Sequence, residues 1–247
     1  METGIQVSSL KPLLLTAEQV RKAFVHMAAL GCRVVQLQWI DPSVPPEAIA
    51  QALRETGIRS VSVQDFYETV SNDFEYYAGL NAVTGGKWLC VSRIPERLKS
   101  REGLETFAGE LRAMQAALDK RNQKLCFHPV SADFTAVPGL NAVDFLLDAM
   151  PELDICLDLY HLHRNCPDMP GYLRRRAGRV CMVHFKDALD GILVPAGQGD
   201  TNWEGVVRAC LDTAVPFAFV EQERWQRDPY VCLKEAMDWL EKEVSRS

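Results

Sequence analysis

Long hydrophobic runs, basic clusters and the residue pattern of a signal peptide are all missing from this sequence of 247 residues. Its apolar stretches are too short to span a bilayer. The longest run of lysine and arginine is the RRR at 174–176 and the net charge is −6, which argues against a nucleic-acid partner. The start, METGIQVSSLKPLLL, lacks the basic flank and small-residue cleavage site of a signal peptide. We therefore expect a cytoplasmic protein with no membrane or nucleic-acid partner.

Cysteine is present, but the CxxC spacing of redox and zinc motifs is not. Four of the eight cysteines, Cys90, Cys126, Cys156 and Cys181, lie inside apolar runs such as WLCVS and VCMVH. This placement favours reduced, buried thiols that pack as small hydrophobic groups over disulfides or metal ligands.

No Pro/Gly/Ser-rich linker or charge run divides the chain. With 47% apolar residues it can bury a large core. We therefore expect one domain over residues 1–247, in a fold that runs long.

Short β-rich runs alternate with segments of helical periodicity. The predicted strands are 4–9, 33–38, 59–64, 87–92, 124–129, 154–159, 179–185 and 217–222, and the clearest predicted helices are 16–31, 46–57, 103–121, 141–150 and 234–244. This alternation indicates a parallel sheet with right-handed crossovers. Eight units in this length predict an α/β fold, a single (β/α)8 TIM barrel, with its site at the carboxyl ends of the strands. The alternative is a doubly wound sheet, but VSSLKP stands where its GxGxxG would follow the first strand.

The last four predicted strands each end in a polar group that can bind metal or move a proton. These groups are His128, Asp158, His184 and Glu221. Because side chains alternate along a strand, they share faces with Cys126, Cys156, Met182 and Phe219, as expected where a packed barrel interior opens into a site. Imidazole and carboxylate ligands from four neighbouring strands suit Mn²⁺, Co²⁺, Zn²⁺ or Mg²⁺.

Other side chains near the same strand ends are candidates for contact with substrate. His161 lies three residues after Asp158, and Lys186 lies two after His184 on the same face. A solvated ion pair between Lys186 and Asp187 is an equal alternative. Gln64 and Trp39, at and after the ends of strands three and two, are expected at the mouth, where an aromatic ring can stack on a sugar or simply pack a loop.

Five short motifs in the second half of the chain resemble those of the xylose isomerase-like TIM-barrel superfamily, in its sugar phosphate isomerase/epimerase branch, with relatives among inosose dehydratases and family 2 AP endonucleases. FHPVSADF resembles YHNHxxEF, DLYH resembles DxxH, HFKD resembles HxKD, GQGDTNW resembles GxGDxxW, and FVEQE resembles the terminal vEqD. The resemblance implies that Asp158, His184 and Glu221 bind a divalent metal ion.

The chain departs from that pattern around its fifth strand. Many epimerases of the family carry a metal-binding Glu where this chain has His128. Val130 replaces the second His of the motif, and Asp133 replaces its Glu. The metal could therefore be held by His128 or by Asp133, and the family's two-carboxylate mechanism does not simply transfer.

The leading hypothesis is a metal-dependent isomerase or epimerase acting on a sugar, sugar phosphate or polyol-derived ketone. Glu221 would be a ligand and base, Asp133 the second acid/base, and His161 and Lys186 would hold substrate oxygens. The alternatives are a dehydratase or lyase of the inosose dehydratase type and a ligand-binding barrel without catalysis. AP endonuclease activity needs more metal-binding histidines than the five in this chain. Assembly into a homo-oligomer is left open.

Overall fold

Eight parallel strands close into a barrel in this computed structural model, which describes residues 1–246. Each strand pairs with its neighbours in chain order, and the last barrel strand pairs back onto the first. A doubly wound sheet would have two open edges, so this closure excludes it and confirms the predicted barrel.

The strands lie close to the predicted runs. Those of the barrel are β1 (Glu2–Gln6), β2 (Val34–Leu37), β3 (Arg59–Phe66), β4 (Trp88–Ser92), β5 (Lys124–His128), β6 (Asp154–Asp158), β7 (Val180–Phe185) and β10 (Phe217–Val220). Between the last two, β8 (Asp187–Leu189) and β9 (Ile192–Val194) form an antiparallel hairpin that the sequence patterns did not indicate.

Helices surround the barrel. They are α1 (Ala17–Ala29), α2 (Pro46–Thr56), α3 (Tyr67–Asn72), α4 (Phe74–Val83), α5 (Arg101–Asp119), α6 (Ser131–Phe134), α7 (Ala142–Ala149), α8 (Leu159–His163), α9 (Met169–Arg175), α10 (Val206–Asp212) and α11 (Pro229–Arg246), with 3₁₀ turns at Val7–Leu13 and Glu96–Leu98. The five predicted helices are all present. The last begins five residues earlier than predicted, because the Asp228 side chain accepts the N–H groups of Tyr230 and Val231 and so caps it. Among residues 1–246, no helix is long and apolar enough to cross a membrane.

The first strand ends earlier than predicted. The Gln6 side chain accepts the N–H of Ser8, and the backbone turns there into the 3₁₀ segment Val7–Leu13. This turn brings two serines next to the residues that follow the last barrel strand. Ser8 Oγ donates to Glu221, and Ser9 Oγ accepts the N–H of Gln222. The turn that replaces the predicted end of the first strand thus supplies contacts to the carboxyl end of the barrel.

The barrel interior is a second apolar cluster, separate from the larger core between strands and helices. It contains Val34, Val61, Trp88, Cys90, Cys126, Cys156, Cys181, Met182 and Phe219. Cys126, Cys156, Met182 and Phe219 are the residues predicted to share faces with the four polar strand ends, so the alternation argument is confirmed. The four cysteines predicted as buried, reduced thiols are buried and unpaired.

Candidate functional site

Three of the four predicted strand-end groups meet at the carboxyl end of the barrel. One ligand atom each from His128, Asp158 and His184 lies within 4.8 Å of the others, and all three residues are buried. Each also has a buried polar atom without a hydrogen-bond partner: His128 Nε2, Asp158 Oδ2 and His184 Nδ1. Buried polar atoms in proteins are normally satisfied. Three orphaned atoms in one cluster therefore mark a place where a ligand fits.

His128 ends β5 with only one ring nitrogen in use. Its Nδ1 lies 3.1 Å from Ser92 Oγ, which leaves Nε2 as the orphaned atom. Burial, helped by the neighbouring His184, lowers the pKa of His128 to about 3. The ring is therefore neutral, which is the state that binds a metal ion.

His184 on β7 is held in a defined orientation from behind. Its Nε2 lies 2.6 Å from Gln36 Oε1 and 3.2 Å from Cys156 Sγ. Since an amide oxygen only accepts, Nε2 carries the proton, and in the neutral ring the lone pair is on Nδ1. Such an outer hydrogen bond fixes the tautomer of many metal-binding histidines.

Glu221, just after β10, faces that lone pair. Its Oε2 lies 3.3 Å from His184 Nδ1 without hydrogen-bond geometry, and its Oε1 accepts from Ser8 Oγ at 2.9 Å. An imidazole lone pair and a carboxylate oxygen at this distance need either a proton on Nδ1 or a metal cation beside them. Burial alone would lower the pKa of His184, but the attraction of Glu221 raises it. Burial alone would raise the pKa of Glu221, but the charges of Lys186 and His184 lower it.

Asp158 both ends β6 and starts α8. Its Oδ1 accepts the N–H groups of Tyr160 and His161 at 2.9 and 3.2 Å, which caps the short helix. This bond fixes the carboxylate and leaves Oδ2 toward the cluster, 3.7 Å from His161 Nε2.

Lys186 is buried beside the cluster, 5% exposed, rather than solvated. Its Nζ lies 2.6 Å from Glu223, 3.9 Å from Glu221 and 4.0 Å from Asp158. Burial would lower the pKa of Lys186, but these three carboxylates raise it above its ordinary value. The cation predicted from the HFKD motif is thus in place, and Glu223 is a partner that the sequence reasoning missed.

His161 connects the cluster to a cleft of about 600 Å³ between the loops after β3, β4 and β5. Its Nδ1 is 2.9 Å from Ser131 Oγ. The ring is half-buried and lines the cleft, so it can contact both a bound molecule and Asp158.

Asp133 lies among the loops rather than in the cluster of His128, Asp158 and His184. Its two oxygens accept the N–H groups of Ile94 and Val130 at 3.1 and 2.8 Å, so the carboxylate ties the loop after β4 to that after β5. Burial raises the pKa of Asp133. Its use as a proton-transfer group stays a prediction that these contacts do not favour.

Gln64 and Trp39 line a different, mainly apolar cleft of about 250 Å³ at the ends of β2 and β3. Gln64 donates to Gln38 at 3.2 Å, and its own Oε1 is buried without a partner. Lys11 Nζ lies 4.6 Å above the Trp39 ring, whose backbone is left-handed with φ of 57°. Both residues therefore line a cleft other than the one lined by His161, and Phe66 of that other cleft packs against the Trp39 ring, with ring centres 5.9 Å apart.

Asp187 does not pair with Lys186, which corrects that alternative. It is fully buried and accepts the N–H groups of Ala188, Gly197, Gly199 and Thr201 and the indole N–H of Trp203, at 3.0–3.3 Å. The GQGDTNW motif is thus a loop wrapped around one carboxylate, and its spacing reflects those bonds.

Several groups that support the site escaped the sequence reasoning. They come from the turn after β1 and from β2, β3 and β4: Ser8, Gln36, Ser62 and Ser92. The signal was available, because Gln36 and Ser92 are polar residues near the ends of apolar runs. The alternation that places the polar groups of the last four strands applies to these strands as well.

Solved structures of sugar isomerases or epimerases and of a dehydratase share this fold. A sugar phosphate isomerase/epimerase from Parabacteroides distasonis has a TM-score of 0.81 at 14% identity, covering 96% of this chain and 92% of that one. An L-ribulose 3-epimerase has a TM-score of 0.77 at 12% identity, covering 99% and 94%. A probable 3-DHS dehydratase from Bacillus anthracis has a TM-score of 0.74 at 14% identity, covering 98% and 99%.

These likenesses concern the fold, since identity is so low. No curated protein sequence matches the chain significantly. The family model described as xylose isomerase-like TIM barrel, however, matches residues 24–243, nearly the whole chain. Together with the closed barrel and its strand-end cluster, this match shows that the chain belongs to the xylose isomerase-like TIM-barrel family.

Proposed function

We propose that the protein is a metal-dependent isomerase or epimerase acting on a sugar, sugar phosphate or polyol-derived ketone. The convergence of three buried, unpartnered ligand atoms from β5, β6 and β7 carries the proposal. The sugar epimerases among the structural neighbours support the same class of reaction.

The metal would be held by His128, Asp158 and His184, with Glu221 beside them. Two imidazoles among the ligands suit Zn²⁺, Co²⁺ or Mn²⁺ better than Mg²⁺, which prefers oxygen. When bound, the ion would polarise a substrate carbonyl and acidify the neighbouring C–H bond.

Proton transfer falls to the groups around that ion. Glu221 would take the proton from carbon, and the ammonium of Lys186 would hold the oxyanion that forms as the C–H electrons move onto the carbonyl oxygen. As the oxyanion draws on the charge of Lys186, the carboxylate of Glu221 becomes a stronger base. His161, accessible from the cleft, would return a proton to the substrate. Trp39 and Gln64 would contact the rest of the substrate.

The test is proton exchange at the substrate carbon. Purified protein loaded with Mn²⁺, Co²⁺ or Zn²⁺ is incubated in D₂O with a panel of ketoses, and deuterium incorporation and product identity are followed by NMR. We expect exchange that Glu221→Gln reduces by at least about 10²-fold, the scale of a lost general base. Glu204→Gln makes the same chemical change at an exposed position and is the matched control. Full turnover in Glu221→Gln would refute the assignment.

Dehydration is a second candidate, favoured by one observation. His128 stands where many epimerases of the family carry a metal-binding Glu, and both oxygens of Asp133 accept backbone N–H groups. An epimerase needs proton-transfer groups on both faces of the substrate, whereas a dehydratase needs one base and an acid that expels water, a role open to His161. Mass spectrometry of the product separates the two reactions, since only dehydration removes the mass of one water.

A further inference from the structure

We propose that the substrate carries a carboxylate group and that Arg93, at the mouth of the barrel, binds it. The inference rests on the proposed function, because it names the class of substrate for the same site. It depends on the backbone, the surroundings and the charge balance of this one arginine.

Arg93 has an unusual backbone at a functional position. It directly follows β4, and its φ of 68° places it in the left-handed region that non-glycine residues seldom adopt. The preceding residue, Ser92, points into the barrel and bonds His128. Non-glycine residues in this conformation cluster at binding and active sites, where the surrounding structure holds them.

The guanidinium of Arg93 is positioned without using its hydrogen-bond donors. Its central carbon lies 4.3 Å from the centre of the Phe66 ring, and Phe66 is in turn buttressed by the edge of Trp39, with ring centres 5.9 Å apart. Stacking on an aromatic face leaves the N–H groups of an arginine free for a planar, two-oxygen ligand.

The acidic side chains that line the same cleft already have partners. Glu96 lies 2.7 Å from Lys99, and Glu68 lies 3.8 Å from Arg97. Both oxygens of Asp133 accept backbone N–H groups. Glu96 is thus paired within the protein, whereas Glu68 shares Arg97 with Glu110, which lies 3.1 Å from the same guanidinium.

Arg93 has no such partner: within residues 1–246 no carboxylate oxygen comes within the 4.0 Å of an ion pair with it. The cleft therefore offers one exposed guanidinium that has no ion pair, and its charge acts to lower the pKa of Asp133, which burial raises. A carboxylate, with a charge of −1, matches that guanidinium. A phosphate monoester carries about −1.5 to −2 at neutral pH, and would be left only partly neutralised.

The cleft opens directly onto the metal cluster. Ser92 and His161 both line it. Ser92 lies 3.1 Å from His128, and His161 lies 3.7 Å from Asp158. A substrate with its ketone at the cluster can therefore extend its far end toward Arg93.

The test compares three ketoses that differ only at carbon 6: D-fructose, D-fructuronate and D-fructose 6-phosphate. Their affinities for the metal-loaded protein are measured by titration calorimetry, in wild type, Arg93→Gln and Arg93→Lys. Arg54→Gln, an exposed arginine at the end of α2 on the far side of the barrel, is the matched control. Circular dichroism checks that each variant is folded.

We expect wild type to bind D-fructuronate at least about tenfold more tightly than D-fructose, since hydrogen bonds between charged groups are among the stronger ones. Arg93→Gln should reduce that ratio to about one, Arg93→Lys should retain part of it, and Arg54→Gln should leave it unchanged. Equal affinities in wild type, a ratio that survives in folded Arg93→Gln, or a preference for the phosphate would each overturn the proposal.

Deuterium exchange on the same three ketoses keeps the two proposals apart. If deuterium exchanged into D-fructose as fast as into D-fructuronate, with equal affinities, the isomerase assignment would stand and the proposal of a carboxylate-bearing substrate would be refuted. Binding of D-fructuronate that depends on Arg93, with no exchange in any ketose, would support the carboxylate and refute the isomerase.

Discussion

Replacing Asp187 by asparagine should cost the protein much of its stability, because one carboxylate holds the whole loop between β8 and α10. Oδ1 accepts from Ala188 and Thr201, and Oδ2 accepts from Gly197, Gly199 and Trp203. Asparagine keeps one oxygen and turns an N–H₂ group toward the donors of the other. Its best orientation therefore loses two bonds.

The magnitude follows from those two bonds. A hydrogen bond to a charged group contributes about 1.5–3 kcal/mol, so the free energy of unfolding should fall by about 3 kcal/mol or more. For a chain of this size, each kcal/mol lowers Tm by roughly 2–4 °C, which gives a fall of about 6–12 °C.

Thermal unfolding followed by circular dichroism measures the change, and hydrogen exchange localises it to residues 188–203. Asp190→Asn is the matched control, because Asp190 is exposed and its φ of 50° suits asparagine. That variant should stay within about 2 °C of wild type, as most surface substitutions do. Should Asp187→Asn also keep its Tm and its exchange rates, the reading of this loop is wrong.

Three further substitutions, the last with a control, test other parts of the account. Asp133→Asn should lower Tm, because one of two backbone N–H groups loses its acceptor, which costs about 1–3 kcal/mol of unfolding free energy. Turnover should stay within about threefold of wild type. An unchanged Tm with turnover abolished would instead make Asp133 a proton-transfer group. Lys186→Met leaves three carboxylates facing one another, so we expect a lower Tm. Added Zn²⁺ should partly restore that Tm in a thermal-shift assay. No restoration would argue against a cation site there. Gly4→Ala should destabilise the barrel by about 1–3 kcal/mol in urea unfolding, since its Cβ would lie 2.1 Å from the carbonyl oxygen of Val34. Gly109→Ala in α5, with open space around the new Cβ, should be neutral or stabilise by up to about 1 kcal/mol, and equal effects at both glycines would contradict this packing argument.

The barrel and the cluster of polar strand ends were predictable because both follow from short-range rules. Alternation along β5, β6, β7 and β10 placed His128, Asp158, His184 and Glu221 above Cys126, Cys156, Met182 and Phe219, and no knowledge of the loops was needed.

The loops were predicted less well, since their contacts join residues far apart in sequence. The spacing of HFKD suggested a pair between Lys186 and Asp187, but side chains at adjacent positions of an extended segment point to opposite sides. Lys186 turns to the site and Asp187 to the loop. The left-handed backbones of Trp39 and Arg93 leave no mark in composition, because the surrounding structure, rather than the residue type, imposes them.

The central claim is that His128, Asp158 and His184 bind a divalent ion, and metal stoichiometry tests it most directly. Protein loaded with Zn²⁺ or Mn²⁺ and dialysed is assayed by elemental analysis, for wild type, His184→Ala and a control, His26→Ala, on the exposed side of α1. The account predicts about one ion per chain in wild type and His26→Ala, and loss of that ion in His184→Ala. No bound metal in wild type, or the same stoichiometry in His184→Ala, would contradict it.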